Sequence, residues 1–95
     1  MSNYIVNRID PDFAPETHTL GASSAQSSAI TTGAGLIRIA VTTGTHIKFG
    51  SNPTATIEDV LIPANNVEIF SFSSGQKIAF IQSSAGGVIN ICALD

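Results

Sequence analysis

The chain has 95 residues, a formal net charge of −3 and a single cysteine. Charged residues make up 12% and hydrophobic residues 43%, which is too apolar for a disordered chain and sufficient for one small domain. The four Lys and Arg residues are dispersed, so no basic stripe indicates nucleic-acid binding, and one cysteine excludes an intrachain disulfide.

Neither a membrane nor a secretory signal is expected from the chain. No apolar run approaches the roughly 20 residues that a helix needs to cross a bilayer. The start of the chain lacks a charged segment followed by an apolar core, so it does not resemble a signal peptide. We therefore expect the protein to be made in the cytoplasm and used there or assembled there into something larger.

Residues 1–16 are predicted to form an extended arm. Pro11 and Pro15 each remove a backbone donor and disfavour helix at the preceding residue. An arm with large apolar side chains is expected to dock on another surface. The predicted partner-binding residues of this arm are Tyr4, Ile5, Val6, Ile9 and Phe13.

Short apolar segments separated by turn residues follow the arm. Most of them alternate apolar and polar residues, and no window keeps helical spacing beyond two turns, so strands are favoured and little or no helix is expected. Their intervals of about 8–12 residues are typical of a sandwich or barrel. We predict an all-β domain over 17–95, an antiparallel, jelly-roll-like β-sandwich of about seven to eight short strands. The predicted strands are 17–22, 35–42, 45–50, 60–64, 67–72, 77–82 and 88–94.

The last two strands are apolar on both faces. In 88–94, one face carries alternate residues from Ile89 and the other carries Val88, Cys92 and Leu94. A domain this small has one interior, so we predict a homo-oligomer whose interface includes Ile81, Val88, Cys92 and Leu94. The alternative is that the chain itself covers the second face, for example with residues 1–16. The predicted core consists of Ile37, Ile39, Val41, Ile47, Phe49, Ile69, Ile78, Phe80 and Ile89.

The sequence offers no recognisable catalytic or metal-binding motif. His18 and His46 alternate with core residues and are predicted to face solvent, while Cys92 is predicted to be a small buried hydrophobe. A metal site normally needs three or four ligands at recognisable spacing, which these residues do not provide. We therefore predict no enzyme activity, no catalytic residue, no cofactor and no metal.

The stretches "IKFGSNPTAT" and "LIPANNVEIFSFSSGQKIAFIQSSAGGVINI" carry a resemblance to a known class of proteins. A strand ending in Phe-Gly precedes a Pro-Thr-Ala-Thr loop, a Leu-x-Pro-Ala turn, an aromatic strand, a Gly-x-Lys turn and a Gly-rich hairpin. In this order, over about 36–94, the chain resembles small virion proteins of tailed bacteriophages. The elements that match are at 49–50, 53–56, 61–64, 67–72, 75–77 and 86–87.

The resemblance implies a structural role on a virus particle. It implies a β-sandwich on the capsid surface, a decoration (cement) protein that binds the major capsid protein, bridges neighbouring capsomers and forms a homotrimer. One alternative is a tail or head–tail connector component. Another is a carbohydrate-binding sandwich, which the lack of Trp and the single Tyr disfavour.

Overall fold

The computed structural model describes residues 8–31 and 35–94. These residues form eight strands and no helix, which confirms the predicted all-β class. The strands are β1 (Glu16–Leu20), β2 (Ala25–Gln26), β3 (Leu36–Val41), β4 (Thr45–Gly50), β5 (Val60–Ile62), β6 (Asn66–Ser71), β7 (Lys77–Gln82) and β8 (Gly87–Leu94).

The strands form two four-stranded antiparallel sheets. The first sheet has the order β1-β8-β3-β6 and the second sheet has the order β2-β7-β4-β5. The pairs are nested along the chain, with β4 on β5 innermost, then β3 on β6, β2 on β7, and β1 on β8 outermost. Two four-stranded sheets with this nested antiparallel pairing form a jelly roll, as the sequence led us to expect.

The core lies between the two sheets. The residues that fill it are Leu20, Ile30, Ile37, Ile39, Val41, Ile47, Ile62, Ile78, Phe80, Ile89, Ile91 and Ala93. Period-2 alternation explains β3, in which Ile37, Ile39 and Val41 point inward. Of the nine residues predicted for the core, Phe49 is partly buried and packs against it, and Ile69 is the exception.

Ile69 lies on the outside of the sandwich, with 43% of its surface exposed. The register pairs Ile37 with Phe70 and Arg38 with Ile69, so Phe70 shares the inner face with the core residues of β3. The segment "VEIFSF" alternates in two possible phases, and the structure takes the one that turns Phe70 and Phe72 toward the core. The prediction that Ile69 contributes to the core was therefore wrong.

The structure adds one strand that the sequence did not predict. β2 has only two residues and lies between the predicted strands 17–22 and 35–42. Two residues are too few to show alternation, and the strand is identified only by its pairing with β7. β1 begins at Glu16, the last residue of the predicted arm.

The loop 51–59 folds against the second sheet. Gln26 Nε2 donates hydrogen bonds to Asn52 Oδ1 at 2.9 Å and to the Pro53 carbonyl at 2.7 Å. The Ala55 N–H donates to Ser24 Oγ at 2.9 Å, and Ala55 is buried. Because Ala79 faces the outer side of this sheet beside Gln26 and is fully buried, the chain itself covers part of the second apolar face of β7.

Candidate interaction surfaces

The outer face of the first sheet is largely uncharged. We call it the open face. Paired residues share a face, so the register places four rows of side chains there, and Arg38 is the one charged residue in them. The rows are Thr19 and Val88; Thr17, Asn90, Ala40 and Val67; Cys92, Arg38 and Ile69; and Leu94, Leu36 and Ser71.

Two shallow depressions lie on the open face. The larger has a volume of about 560 Å³ and is lined by Ile9, Pro15, Arg38, Ile69, Asn90, Cys92 and Leu94. The smaller has a volume of about 280 Å³, and its lining includes Ala40, Val67, Val88 and Asn90. Asn90 lines both, so the two depressions adjoin at this residue, and we call the two together the Arg38 groove.

The predicted oligomer interface is divided between the two sheets. Val88, Cys92 and Leu94 share the open face, but Ile81 lies on the outer face of the second sheet, paired with His46. Val88 is 39% exposed, whereas Cys92 and Leu94 are 5% and 2% exposed. Cys92 is therefore buried as predicted, and within this chain Cys92 and Leu94 offer little surface for contact with another copy.

The described part of the arm lies along its own domain. Ile9 forms an antiparallel bridge with Leu94, and the Asp10 N–H donates to the Ala93 carbonyl at 3.0 Å. The ring of Phe13 packs against the core, while Ile9 remains 64% exposed. Covering of β8 by the arm was one of the two alternatives that the sequence left open. The other predicted partner-binding residues, Tyr4, Ile5 and Val6, lie outside the described residues.

A turn built on Asp10 returns the arm to β8 at the same edge that β1 occupies. The Asp12 N–H donates to Asp10 Oδ1 at 2.9 Å, and the Phe13 N–H donates to the Asp10 carbonyl at 3.2 Å. Asp10 is buried, and Asp is a common turn residue because its side chain accepts hydrogen bonds from nearby backbone N–H groups. This turn brings Phe13 to the core between the bridge at Ile9 and the start of β1.

A second apolar surface was not predicted. Exposed apolar side chains lie on β5, β6 and the turn before β5, with Leu61 on the outer face of the second sheet and Val67 and Ile69 on the open face. We call this set of residues the apolar side. β5 and β6 are the last strands of their sheets and contact each other, so neither has a neighbouring strand to cover its outer edge. The apolar side consists of Ile57, Val60, Leu61, Val67 and Ile69.

The sequence contains only a weak signal for the apolar side. The segments "VLI" and "VEI" have the composition of core strands. They are exposed because β5 and β6 lie at the edges of their sheets, and the sequence of a strand does not show its place in a sheet. Ile57, which is 66% exposed, lies in a turn closed by Asp59. Asp59 Oδ2 accepts a hydrogen bond from the Thr56 N–H at 2.7 Å, and the Asp59 N–H donates to the Thr56 carbonyl at 3.0 Å.

The prediction that His18 and His46 face solvent was wrong. His46 is only 8% exposed, because Nδ1–H donates to the Asp59 carbonyl at 2.9 Å and Nε2 lies 3.3 Å from Ser83 Oγ. His18 is partly buried, with its ring 5.0 Å from that of Phe80 and Nε2 2.8 Å from Glu16 Oε1. The two rings lie on different strands and serve packing and hydrogen bonding within the domain.

Within residues 8–31 and 35–94, no three His, Cys, Asp or Glu side chains are grouped so that they could hold a metal ion. Over the same ranges, no helix is long and apolar enough to cross a membrane.

Comparisons with known proteins identify no relative of this chain. No family model matches the chain, and no significant match is found among curated proteins or solved structures. The resemblance to bacteriophage virion proteins is therefore supported only by the sequence features described above. A fold alone does not assign a function, so the functional argument depends on the surfaces.

Proposed function

We propose that the protein is a structural virion protein that acts by binding, as a decoration protein on the outer surface of a capsid. The observation that carries this proposal is the concentration of exposed apolar side chains on the apolar side and the open face. A small monomeric domain rarely exposes large continuous apolar patches, so such surfaces favour contact with other chains. Jelly rolls recur in viral capsid proteins, which is compatible with the proposal.

In this proposal, the apolar side and the arm have separate tasks. The part of the apolar side that lies outside the open face, Ile57, Val60 and Leu61, would contact other copies of the chain in a homotrimer. The arm would bind the major capsid protein, with Tyr4, Ile5 and Val6 as its apolar contacts. Because Phe13 packs on its own domain, it would fix the base of the arm and leave binding to the residues before it.

A connector component of the tail or neck is the structural alternative. It would use the same kinds of surface at a site with far fewer copies. Carbohydrate binding is disfavoured by one further observation, since all five Phe side chains are buried in the core or packed against it. Sugars commonly stack on exposed aromatic rings, and these rings are not exposed.

Particle binding tests the proposal directly. Purified particles lacking this protein would be mixed with the full chain, or with a chain that starts at Arg8, and sedimented. We expect the full chain to bind in many copies and the shortened chain to bind weakly or not at all. Full binding by the shortened chain would contradict the role of the arm. A few copies at a single vertex would favour the connector.

Self-association has its own test, which needs no particles. Light scattering should show a trimer for the full chain, and Val60→Lys should shift it to the monomer, because Val60 is 60% exposed on the apolar side. Thr54→Lys, at an exposed position in the loop 51–59, is the matched control and should leave the trimer intact. A monomer in solution that also sits as isolated copies on the particle would refute self-association.

A further inference from the structure

The Arg38 groove contains one cation without a counterion. Arg38 lies on the inner strand β3 of the first sheet, paired with Cys92 on one side and Ile69 on the other. Its side chain is partly buried and makes no hydrogen bond or ion pair with the described residues. A guanidinium group has five N–H donors, so Arg38 presents unused donors to whatever lies on this face.

The surroundings of Arg38 are apolar. Ile9, Pro15, Ile69, Cys92 and Leu94 line the groove beside it, and Asn90 is the other polar residue there. An ion pair formed in such surroundings is less screened by water than one on an open surface. The fork of donors on Arg matches a carboxylate, which can accept two hydrogen bonds at once. The chemistry of the groove therefore selects a carboxylate that is flanked by apolar groups.

The shape of the groove favours an extended chain over a compact ligand. Its two depressions adjoin at Asn90 and together run from Leu94 and Ile9 to Val88 and Val67. Both depressions are open to solvent, so a small ligand would be left largely in water, whereas an extended segment could place alternate side chains in both. The amide of Asn90 lies between them, and its Nδ2 donates to Thr17 Oγ1 at 3.1 Å, which leaves Oδ1 to accept from a bound backbone.

We propose that the Arg38 groove binds an extended segment of a partner protein in which an Asp or Glu has an apolar residue two positions before it and two positions after it. The carboxylate would pair with Arg38, and the apolar side chains would cover the exposed Ile69 on one side and the exposed Ile9 on the other. A second copy of this chain is a poorer occupant, because face-to-face packing about a two-fold axis brings one Arg38 toward the other. The inference concerns the groove itself and does not require that the partner be a capsid protein.

The test uses two capped peptides that differ in one charge. Ac-Ile-Ser-Asp-Ser-Ile-NH2, whose Asp and Ile side chains share one face when the peptide is extended, and its Asn counterpart would be titrated into the ¹⁵N-labelled full chain, and binding followed by amide chemical shifts. We expect the Asp peptide to move the amide signals of Arg38, Ile69 and Asn90, and to bind about fivefold or more tightly than the Asn peptide. The preference should weaken as salt is added.

Variants separate the role of Arg38 from a general effect of charge. Arg38→Gln should bind both peptides equally, and Arg38→Glu should prefer the Asn peptide. Lys48→Gln, an exposed change on the outer face of the second sheet, should keep the original preference. The dispersion of the amide spectrum shows whether each variant is folded, and Arg38→Lys, which keeps the charge but loses the fork, should retain a reduced preference.

Several results would overturn the inference. One is the absence of binding at millimolar peptide, and another is a set of shifted signals that lies away from the groove. A preference that survives in Arg38→Gln would show that the carboxylate binds elsewhere. Sodium acetate serves as the small-anion control, and acetate binding as tight as the Asp peptide would mean that the groove takes a simple carboxylate without the flanking chain.

Discussion

The rings of Phe49 and Phe70 lie 5.8 Å apart at an interplanar angle of 60° and join the two sheets of the sandwich. Phe49 belongs to β4 in the second sheet, and Phe70 belongs to β6 at the edge of the first sheet. A tilted pair at this separation is a favourable aromatic arrangement. Phe70 can form this pair because it points inward, and the same orientation of β6 places Val67 and Ile69 on the open face.

The first prediction tests this phase of β6. Phe70→Ala should lower the free energy of unfolding by about 2–3 kcal/mol, somewhat less than a fully buried Phe would, because Phe70 is only partly buried. Its neighbour Ile69 serves as the control, and Ile69→Ala should cost less than about 1 kcal/mol. Urea denaturation measures both. A larger loss for Ile69→Ala than for Phe70→Ala would mean that β6 is turned the other way.

The comparison of Ile69 with Ile39 shows what the sequence could predict. Ile39 alternates with Arg38 and Ala40 on an inner strand, so only one phase buries a continuous apolar face. Ile69 alternates with Glu68 and Phe70 on an edge strand, where Glu68 can point inward and still reach solvent. An alternating sequence therefore shows which residues of a strand point to the core only when one of its two faces could not be left exposed to solvent.

The exposed surfaces were less predictable than the core. Val60 and Leu61 are exposed because β5 is last in its sheet, a property of the strand order that no local pattern reports. Cys92 and Ala79 are buried on outer faces, because the arm returns along β8 and the loop 51–59 crosses the second sheet. These long-range contacts decide which apolar residues are left for a partner.

The second prediction concerns the buried hydroxyl of Ser27. The Ile78 N–H donates to Ser27 Oγ at 2.9 Å, while the Ser27 N–H donates to the Ile78 carbonyl at 2.8 Å. Ser27→Ala should destabilise the domain by about 1–3 kcal/mol, because it leaves the buried Ile78 N–H without its acceptor. Ser84→Ala, at an exposed turn position, is the matched control. Equal melting temperatures for the two variants would show that water replaces the lost acceptor.

The third prediction concerns the close approach at Gly87. A Cβ atom at this position would lie 2.4 Å from Thr43 Oγ1 and 2.6 Å from Thr42 Oγ1. Gly87→Ala should therefore cost about 1–3 kcal/mol through overpacking, whereas Gly21→Ala, with no atom within 4 Å of the new Cβ, should cost little. Adding Thr43→Ala to Gly87→Ala should recover part of the loss. Without any recovery, the loss would have to arise from the contact with Thr42 Oγ1 and not from the Thr43 side chain.

The last prediction divides the arm into a part that belongs to the domain and a part that serves a partner. The segment from Ile9 to Phe13 contacts β8 and the core, and the Asp10 turn holds it in place. Removing it would expose Cys92 and Leu94 and withdraw Phe13 from the core. A chain that starts at Thr17 also lacks Glu16, whose carboxylate accepts a hydrogen bond from the Ser28 N–H. It should therefore lose about 2–3 kcal/mol of stability, from about 25 cal/mol per Å² of uncovered apolar surface and the lost hydrogen bonds of Asp10 and Glu16.

A chain that starts at Arg8 keeps all of these contacts and should unfold at the same urea concentration as the full chain. The two truncations therefore separate folding from binding. Loss of particle binding by the Arg8 chain at unchanged stability would identify residues 1–7 as the anchor. Because the Thr17 chain loses stability as well, its loss of binding alone could not assign that role. If instead the Thr17 chain is as stable as the full chain, the contacts of Ile9, Asp10 and Phe13 contribute nothing to the domain, and the whole arm through residue 16 is free to bind a partner.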